Sequence, residues 1–198
     1  MVRVKLNFLQ RVRGILFAPR AEWPAIEREF TEPAFLFVRY AALLALVPAT
    51  ADFIGRSLIG VRVSAGLFHE PVVLGFAKAA TGYLLSLVIV YLIAIAINLL
   101  SPRFGGRRHF MSALKLSIYG YTPVWLAGIF LALPGLRFLT LLSLYGGYLL
   151  WTGLPVLLGV PARRAGLFAA LIVVVGIVLT ILLGLTASLI FLLPENLG

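Results

Sequence analysis

Six polar residues stand inside long apolar runs and are the first candidates for chemistry. Charged side chains are costly in hydrocarbon, so they mark ion or proton pathways, ligand sites or structural ion pairs. An asparagine amide and a tyrosine hydroxyl add hydrogen-bonding groups to the same runs. The candidate intramembrane polar and ion-pair residues are Arg39, Asp52, Lys78, Asn98, Lys115 and Tyr119.

The depth of each charge along its run predicts its partner. Arg39 and Asp52 lie about 20 Å apart on one helix at 1.5 Å per residue, so they do not pair with each other. Asp52 and Lys78 lie at similar depths in consecutive runs, which predicts an ion pair between them. Lys115 lies near the other end of the runs, within reach of Asn98 or of a lipid phosphate. Local pairing and snorkelling to the interface are the structural alternative to an ion or proton pathway.

The residue patterns typical of catalysis are missing from the sequence. It contains no HExxH, GxSxG or P-loop pattern and no cysteine. His69 and His109 fall in loops at opposite ends of the runs, and Asp52 is the one acid within a run. We therefore expect no catalytic residue, no cofactor and no metal site, and a protein that is not an enzyme. An enzyme of lipid metabolism is disfavoured because no nucleophile has a base beside it.

A short basic loop, SPRFGGRRHF, runs from Ser101 to Phe110. Its backbone amides and guanidinium groups are suited to a lipid phosphate or an acidic partner surface. The alternative is a basic cluster that only fixes membrane orientation. The arginines of this candidate face are Arg103, Arg107 and Arg108.

The whole chain has the composition of a polytopic membrane protein. Of its 198 residues, 62% are hydrophobic and 12% are charged, whereas soluble domains are about 25% charged. About 20 apolar residues are needed to cross a bilayer as a helix. The runs are continuously apolar, which excludes the alternation of a β-barrel. The sequence predicts an all-α bundle with membrane spans at about 34–54, 72–100, 112–133, 138–159 and 167–193.

The loop charges predict the orientation of this bundle. Eleven Lys and Arg residues fall in the N-terminal segment and the second and fourth loops, against three in the first and third loops and none in the C-terminal tail. Lys and Arg accumulate on the cytoplasmic side, so we expect the N-terminus in the cytoplasm and the C-terminus across the inner membrane. The net charge of +10 lies between apolar runs, which favours anionic lipids of the cytoplasmic leaflet over nucleic acid as partner.

The first 33 residues are predicted to form a cytoplasmic segment ahead of the membrane domain at 34–198. Phe8, Leu9, Val12, Ile15 and Leu16 have the spacing of one apolar helical face, and Arg11 and Arg13 fall elsewhere on the wheel. The segment lacks the uninterrupted apolar core of a cleavable signal peptide. The amphipathic helix lies either at the cytoplasmic headgroups or on the protein's own bundle. Trp23 is a candidate interface anchor.

Prolines and small residues predict how the spans bend and pack. Pro48, Pro123 and Pro155 each remove a helical hydrogen bond and predict kinks, either static bends or hinges. Small residues four apart allow close helix contact, within this chain or with a second copy in a homo-oligomer. The predicted packing residues are Gly82, Ser86, Gly176, Thr180, Gly184 and Ser188.

Two segments combine aromatic residues with glycines inside the spans. One is Tyr119–Trp125 and the other is Leu144–Tyr148. They predict either a close helix–helix joint or the lining of a small cavity.

The order of these motifs resembles the Ypt/Rab-interacting membrane protein (YIP) family, in its prokaryotic form. The resemblance implies a five-span membrane domain with a cytoplasmic N-terminus. It also implies oligomers, and a link in eukaryotic members to Rab GTPases, vesicle budding and endoplasmic reticulum–Golgi traffic. The stretches that carry it are RVRGILFAPRAEWPAI, NLLSPRFGGRRHFMSALKLSIYGYTPVWLAGIFLALPGL and LYGGYLLWTGLPVLLGVP, followed by the apolar last span.

Two functions are consistent with the sequence. The first is a non-enzymatic membrane scaffold or adaptor that organises partner membrane proteins or lipids, with its polar groups paired locally. The alternative is a small-solute, ion or lipid transporter or channel, which predicts a continuous polar cavity joining Asp52, Lys78, Asn98 and Tyr119.

Overall fold

The structure is a computed structural model that describes residues 8–30, 32–63 and 66–192. Within these residues, five helical segments are long and apolar enough to cross a membrane. This confirms the predicted five-span, all-α bundle. We refer to them as spans one to five, which cover Pro33–Ile59, Val72–Phe104, Phe110–Ala132, Pro134–Leu158 and Ala162–Leu189.

Span three lies at the centre of the bundle. In its most apolar stretch 67% of the residues are buried, against 17% in span five, which borders the bundle with most of its surface free. Span two is α-helical over Val72–Leu100 and ends in a 3₁₀ turn at Ser101–Phe104, whereas span five is one α-helix, Ala162–Leu192. The predicted end of span five at Leu193 lies outside the described residues.

Three of the spans are interrupted by other helical forms. Span one contains α-helices at Pro33–Leu36 and Ala42–Phe53 and π-helical turns at Phe37–Ala41 and Ile54–Ile59. Span three has α-helices at Phe110–Gly120 and Thr122–Ala127 and a 3₁₀ turn at Gly128–Ala132. Span four begins as a 3₁₀ helix, Pro134–Leu144, and continues as an α-helix, Tyr145–Leu158.

The three prolines differ in their effect on these helices. The break in span three falls at Tyr121, two residues before Pro123, which has no N–H to continue the ladder. Pro48 and Pro155 lie inside continuous α-helices. Pro48 packs closely on span three, because a Cβ added to Gly128 would lie 2.5 Å from its Cβ.

A small β-hairpin joins spans one and two. Strand β1 (Val61–Val63) pairs antiparallel with β2 (Gly66–Phe68), with Val61 opposite Phe68. The hairpin follows span one directly. We call this end of the bundle the opposite end, and the end that holds the loop from span two to span three the tail end.

Two short helices of the N-terminal segment cover the tail end. These are α1 (Phe8–Phe17) and α2 (Pro19–Arg28), which form a helical hairpin against spans one, three and four. Ile15 of α1 and Trp23 and Ile26 of α2 are buried in the same core as the spans. Of the two predicted placements of the amphipathic helix, the structure has the docked one, and it buries Trp23 instead of leaving it as an interface anchor.

Candidate functional site

The most polar part of the bundle interior lies beneath α1 and α2. We call it the tail cluster, and it consists of Arg11, Glu22, Glu29, Lys115 and Tyr119. It joins two helices of the N-terminal segment to span three, so it fixes the position of that segment on the bundle.

Arg11 is the centre of the tail cluster. Its side chain is 6% exposed, and its two terminal nitrogens pair with the carboxylates of Glu22 and Glu29. The guanidinium also lies over the ring of Tyr119, with its Cζ 5.8 Å from the ring centroid. The wheel pattern predicted Arg11 on the polar face of α1. The pattern did not predict that Arg11 is buried, which follows because α2 folds back and brings its carboxylates to this face.

Lys115 caps the end of α2. Its Nζ donates to the carbonyl of Ile26 over 2.8 Å and to the carbonyl of Glu29. The last carbonyls of a helix lack backbone donors and carry the negative end of the helix dipole, so an ammonium there is favourable. The predicted contact of Lys115 with Asn98 or a lipid phosphate is therefore wrong, because the ammonium group bonds the carbonyls at the end of α2 instead.

Aromatic side chains close the tail cluster toward the centre of the bundle. The rings of Tyr40 and Tyr119 meet edge to face at 4.8 Å, and Trp23 meets Tyr119 at 6.5 Å. The Tyr40 hydroxyl shares a hydrogen bond of 2.9 Å with the hydroxyl of Thr122. Trp23 donates its Nε1–H to the Thr152 hydroxyl over 3.1 Å. The polar atoms of the Tyr40 and Trp23 rings therefore have partners within the protein.

The tail cluster has the chemistry of a structural joint. Two cations face two carboxylates, which balances the charge, and each charged group is hydrogen-bonded or ion-paired. A buried ion pair of this kind is costly to break on one side only. In the described part of the chain, His, Asp and Glu residues form no group of three that would suit a metal ion.

The basic loop between spans two and three lies beside α2. Arg107 pairs with Glu27 over 3.0 Å and donates to the carbonyl of Leu157 over 3.2 Å. The backbone amides of Gly105, Gly106 and Arg107 donate to carbonyls of the protein itself, so they are not free to hold a phosphate. Gly105 adopts φ +83°, where a side chain would be strained.

The remaining arginines of this end point outward. Arg103 and Arg108 of the loop are exposed and form no ion pair among the described residues. The same holds for Arg13 and Arg20 in the N-terminal segment and for Arg28 at its end. Arg163 and Arg164 at the start of span five are exposed as well. Arg3 and Lys5, which contributed to the predicted charge balance, lie outside the described residues.

The charges at the opposite end pair locally. Asp52 accepts a hydrogen bond of 2.8 Å from Arg56, one helical turn away, and Lys78 pairs with Glu70. The predicted Asp52–Lys78 pair is therefore wrong. Each charge has a partner close to it in sequence instead.

The other candidate polar residues lie apart from these pairs. Arg39 is exposed and lies over the ring of Phe35 at 5.3 Å. The Asn98 side-chain oxygen is buried in span two without a protein partner in the described structure. Tyr119 lies beneath α1 and α2 against Tyr40, which precedes Asp52 by 12 residues, about 18 Å along span one.

Among the described glycines of the small-residue stripes, Gly176 lies close to another span. A Cβ added to Gly176 would lie 3.3 Å from Ile93 of span two, whereas Gly82 and Gly184 have open space around them. The Ser86 hydroxyl donates to Tyr83, the Thr180 hydroxyl to Gly176 and the Ser188 hydroxyl to Gly184, all backbone carbonyls of their own helices. The role of the stripes in a homo-oligomer stays a prediction.

The sequence did not lead to Glu22 and Glu29 as partners of the buried Arg11, or to Glu70 as the partner of the partly exposed Lys78. The spacing of Glu22 and Glu29, seven residues apart, places them on one face of a helical segment and was the available signal. Glu70 stands eight residues before Lys78, across the start of span two. Both signals are local, whereas the predicted ion pair joined two spans.

Comparison with known proteins agrees with this architecture. The family model of the Yip1 domain matches residues 13–183. The inner membrane protein YohC of Escherichia coli strain K12 is 26% identical over 187 residues, which cover 91% of this chain and 96% of YohC. The YohC protein of E. coli O6:H1 strain CFT073 matches to the same extent. No solved structure matches the chain. The matched region runs from α1 to span five, so this chain belongs to the Yip1 domain family of integral membrane proteins.

Proposed function

We propose that this Yip1-family protein is a non-enzymatic scaffold or adaptor of the inner membrane. Its tail end would lie in the cytoplasm and its C-terminus on the other side. The tail end would bind anionic lipids and acidic surfaces of partner membrane proteins. The name of YohC, an inner membrane protein, supports the location.

The observation that carries the proposal is the separation of charges at the tail end. The carboxylates of Glu22, Glu27 and Glu29 are engaged by Arg11 and Arg107 of the protein itself. The exposed arginines of the same end form no ion pair among the described residues. Each basic residue near an anionic membrane contributes about 1 kcal/mol of attraction. The surface is thus suited to anionic headgroups, while the interior is neutral.

The polar groups within the spans give less support to the transporter alternative. A transport route would join Asp52, Lys78, Asn98 and Tyr119. The first two are instead engaged by Arg56 and Glu70, and Tyr119 packs against Tyr40 and Trp23. These local pairs are what a scaffold requires.

Lipid enrichment tests the proposed surface. The purified full chain would be placed in nanodiscs of phosphatidylglycerol and phosphatidylethanolamine, and the lipids retained on the protein measured by native mass spectrometry. We expect phosphatidylglycerol to be enriched, and Arg163→Gln/Arg164→Gln to lower that enrichment severalfold. The matched control is Arg56→Gln/Arg137→Gln, which removes two charges at the opposite end. Equal loss in both variants, or no enrichment in the wild type, would contradict the proposal.

The orientation in the membrane is tested separately. Single cysteines can be introduced for labelling because the sequence has no cysteine of its own. Single cysteines at Ala21 and Gly198 would be treated with a membrane-impermeant maleimide in cells with a permeabilised outer membrane. The proposal requires labelling at position 198 in these cells, and at position 21 only after the inner membrane is opened. Labelling of both positions before opening would contradict it.

A further inference from the structure

A cavity of about 290 Å³ lies between spans two, three, four and five, away from the tail cluster. We call it the mid-span cavity. Its walls include Tyr121 and Val124 of the aromatic segment in span three, Leu144 and Gly147 of the one in span four, and Val173 of span five. Both aromatic–glycine segments therefore line a cavity. They also form a close joint, since a Cβ on Gly146 would lie 2.8 Å from the carbonyl oxygen of Gly120.

The mid-span cavity lies at the depth of the hydrocarbon core. On span five its lining runs from Ile172 to Ile181, about 13 Å at 1.5 Å per residue. Ile172 is ten residues after the first residue of the span and Ile181 eight before the last. The cavity is thus centred along the span, where the bilayer contains acyl chains and no water.

The opening of the mid-span cavity faces sideways. Its inner wall includes Ser117 and Ile172, which are 1% exposed, whereas the rim includes Leu144, Ile177 and Ile181, which are 50% exposed or more. These rim residues are apolar and lie on the outer surface of the bundle. A molecule enters such a cavity from the surrounding lipid.

Two of the four hydroxyl groups of the wall are already hydrogen-bonded within the protein. The Ser117 hydroxyl donates to the carbonyl of Val90 over 2.6 Å, and the Thr180 hydroxyl donates to the carbonyl of Gly176 over 2.8 Å. None of the described residues that line the cavity is charged. A polar solute would lose its hydration there without gaining ionic partners, whereas an apolar chain loses nothing.

We propose that the mid-span cavity is a binding site for one acyl chain of a membrane lipid. The volume is near the lower end of the range of about 300–1,000 Å³ for small-molecule sites, which suits part of a single chain. The chain fills the gap between spans four and five next to the Gly147–Val173 contact and completes the packing of span five. The proposal needs only an integral membrane protein, so it stands independently of the scaffold function.

Photolabelling tests this site in the full chain. The protein would be reconstituted in vesicles that contain phosphatidylethanolamine with a diazirine near the methyl end of one acyl chain, and the labelled residues mapped by mass spectrometry. Val174 is 55% exposed on span five and does not line the cavity, so bulk lipid labels it and it serves as internal standard. We expect Tyr121, which lipid reaches through the cavity, to be labelled to a similar extent.

Two variants fill the cavity from different walls. Val124→Phe and Val173→Phe are expected to lower labelling of Tyr121 at least fivefold relative to Val174. The matched control for the second is the same change one residue on, Val174→Phe, which should leave Tyr121 labelling within twofold when normalised to Leu182, which is 55% exposed and does not line the cavity. Absence of Tyr121 label in the wild type, or unchanged Tyr121 label in both filling variants, would overturn the proposal. Crosslinks at Tyr121 to a second copy of the chain, in place of lipid, would overturn it too.

Discussion

The ammonium group of Lys115 in span three donates a hydrogen bond of 2.8 Å to the carbonyl of Ile26, 89 residues earlier in the chain. The contact joins the membrane bundle to the last turn of α2. Because the same ammonium also bonds the carbonyl of Glu29, one lysine holds the end of the N-terminal segment in place. Helices α1 and α2 are therefore part of the folded domain, and Glu27 of α2 pairs with Arg107 of the loop between spans two and three.

Replacing Lys115 should release α2. We expect Lys115→Met to weaken docking by about 1–3 kcal/mol, because the two carbonyls lose a charged donor in a buried position. Trypsin cleavage after the exposed Arg28 should become about tenfold faster, by the equivalence of 1.4 kcal/mol and a factor of ten. Lys78→Met removes the other intramembrane lysine, at the opposite end. Equal acceleration by both variants would show that trypsin reports general unfolding only.

Arg11, with its two ion pairs, should contribute more to the free energy of unfolding than the exposed Arg13 on the same helix. Arg11→Met leaves Glu22 and Glu29 without their cation, and we expect a loss of about 2–3 kcal/mol, reduced from that of a fully buried pair because Glu29 is partly exposed. Arg13→Met, on the exposed side of the same helix, should cost less than about 0.5 kcal/mol. Thermal unfolding in nanodiscs measures both variants.

The triple variant Arg11→Met/Glu22→Gln/Glu29→Gln separates charge from packing. Neutral glutamines do not carry the penalty of an unpaired charge, so this variant should recover at least half of the stability lost in Arg11→Met. A triple variant as unstable as the single one would show that the carboxylates are not the reason for the loss.

Close packing between spans one and three should make Gly128 intolerant of a methyl group. Gly128→Ala would place Cβ against the rigid ring of Pro48, at a cost of about 1–3 kcal/mol. Gly82→Ala has open space around it and should be neutral or stabilising, since alanine is favoured over glycine in helices. Unfolding temperatures of the two variants check the difference, and equal temperatures would argue against the Pro48 contact.

The five spans could be predicted from the sequence because a bilayer imposes a length and a composition on every helix that crosses it. Partner choice could not be predicted in the same way. The position of Asp52 and Lys78 along their spans puts them at one level. It does not specify toward which side of its helix each side chain points. In the structure Asp52 pairs with Arg56 and Lys78 pairs with Glu70, and each partner is close in sequence. Depth alone therefore does not identify an ion pair.

The tail cluster could not be predicted because it depends on how two short helices fold back on each other. The pattern of α1 identifies the apolar face that buries Ile15, but it places Arg11 among the polar residues. Only the turn between Phe17 and Pro19 brings Glu22 and Glu29 to that arginine. The lining of the mid-span cavity was closer to prediction, since both aromatic–glycine segments were noted as a joint or a cavity.

The most direct test of this account is whether α2 lies on the tail end of the bundle in a membrane. Glu27→Cys/Arg107→Cys replaces an ion pair with N–O distance 3.0 Å, in a chain without other cysteines. A short bismaleimide should link the two positions within one polypeptide in native membranes, and Glu27→Cys/Arg137→Cys, with its second cysteine at the opposite end, should not be linked. Linkage in the first variant alone is the predicted result. Failure of the first variant to link, or linkage only between copies, would contradict the docked N-terminal segment.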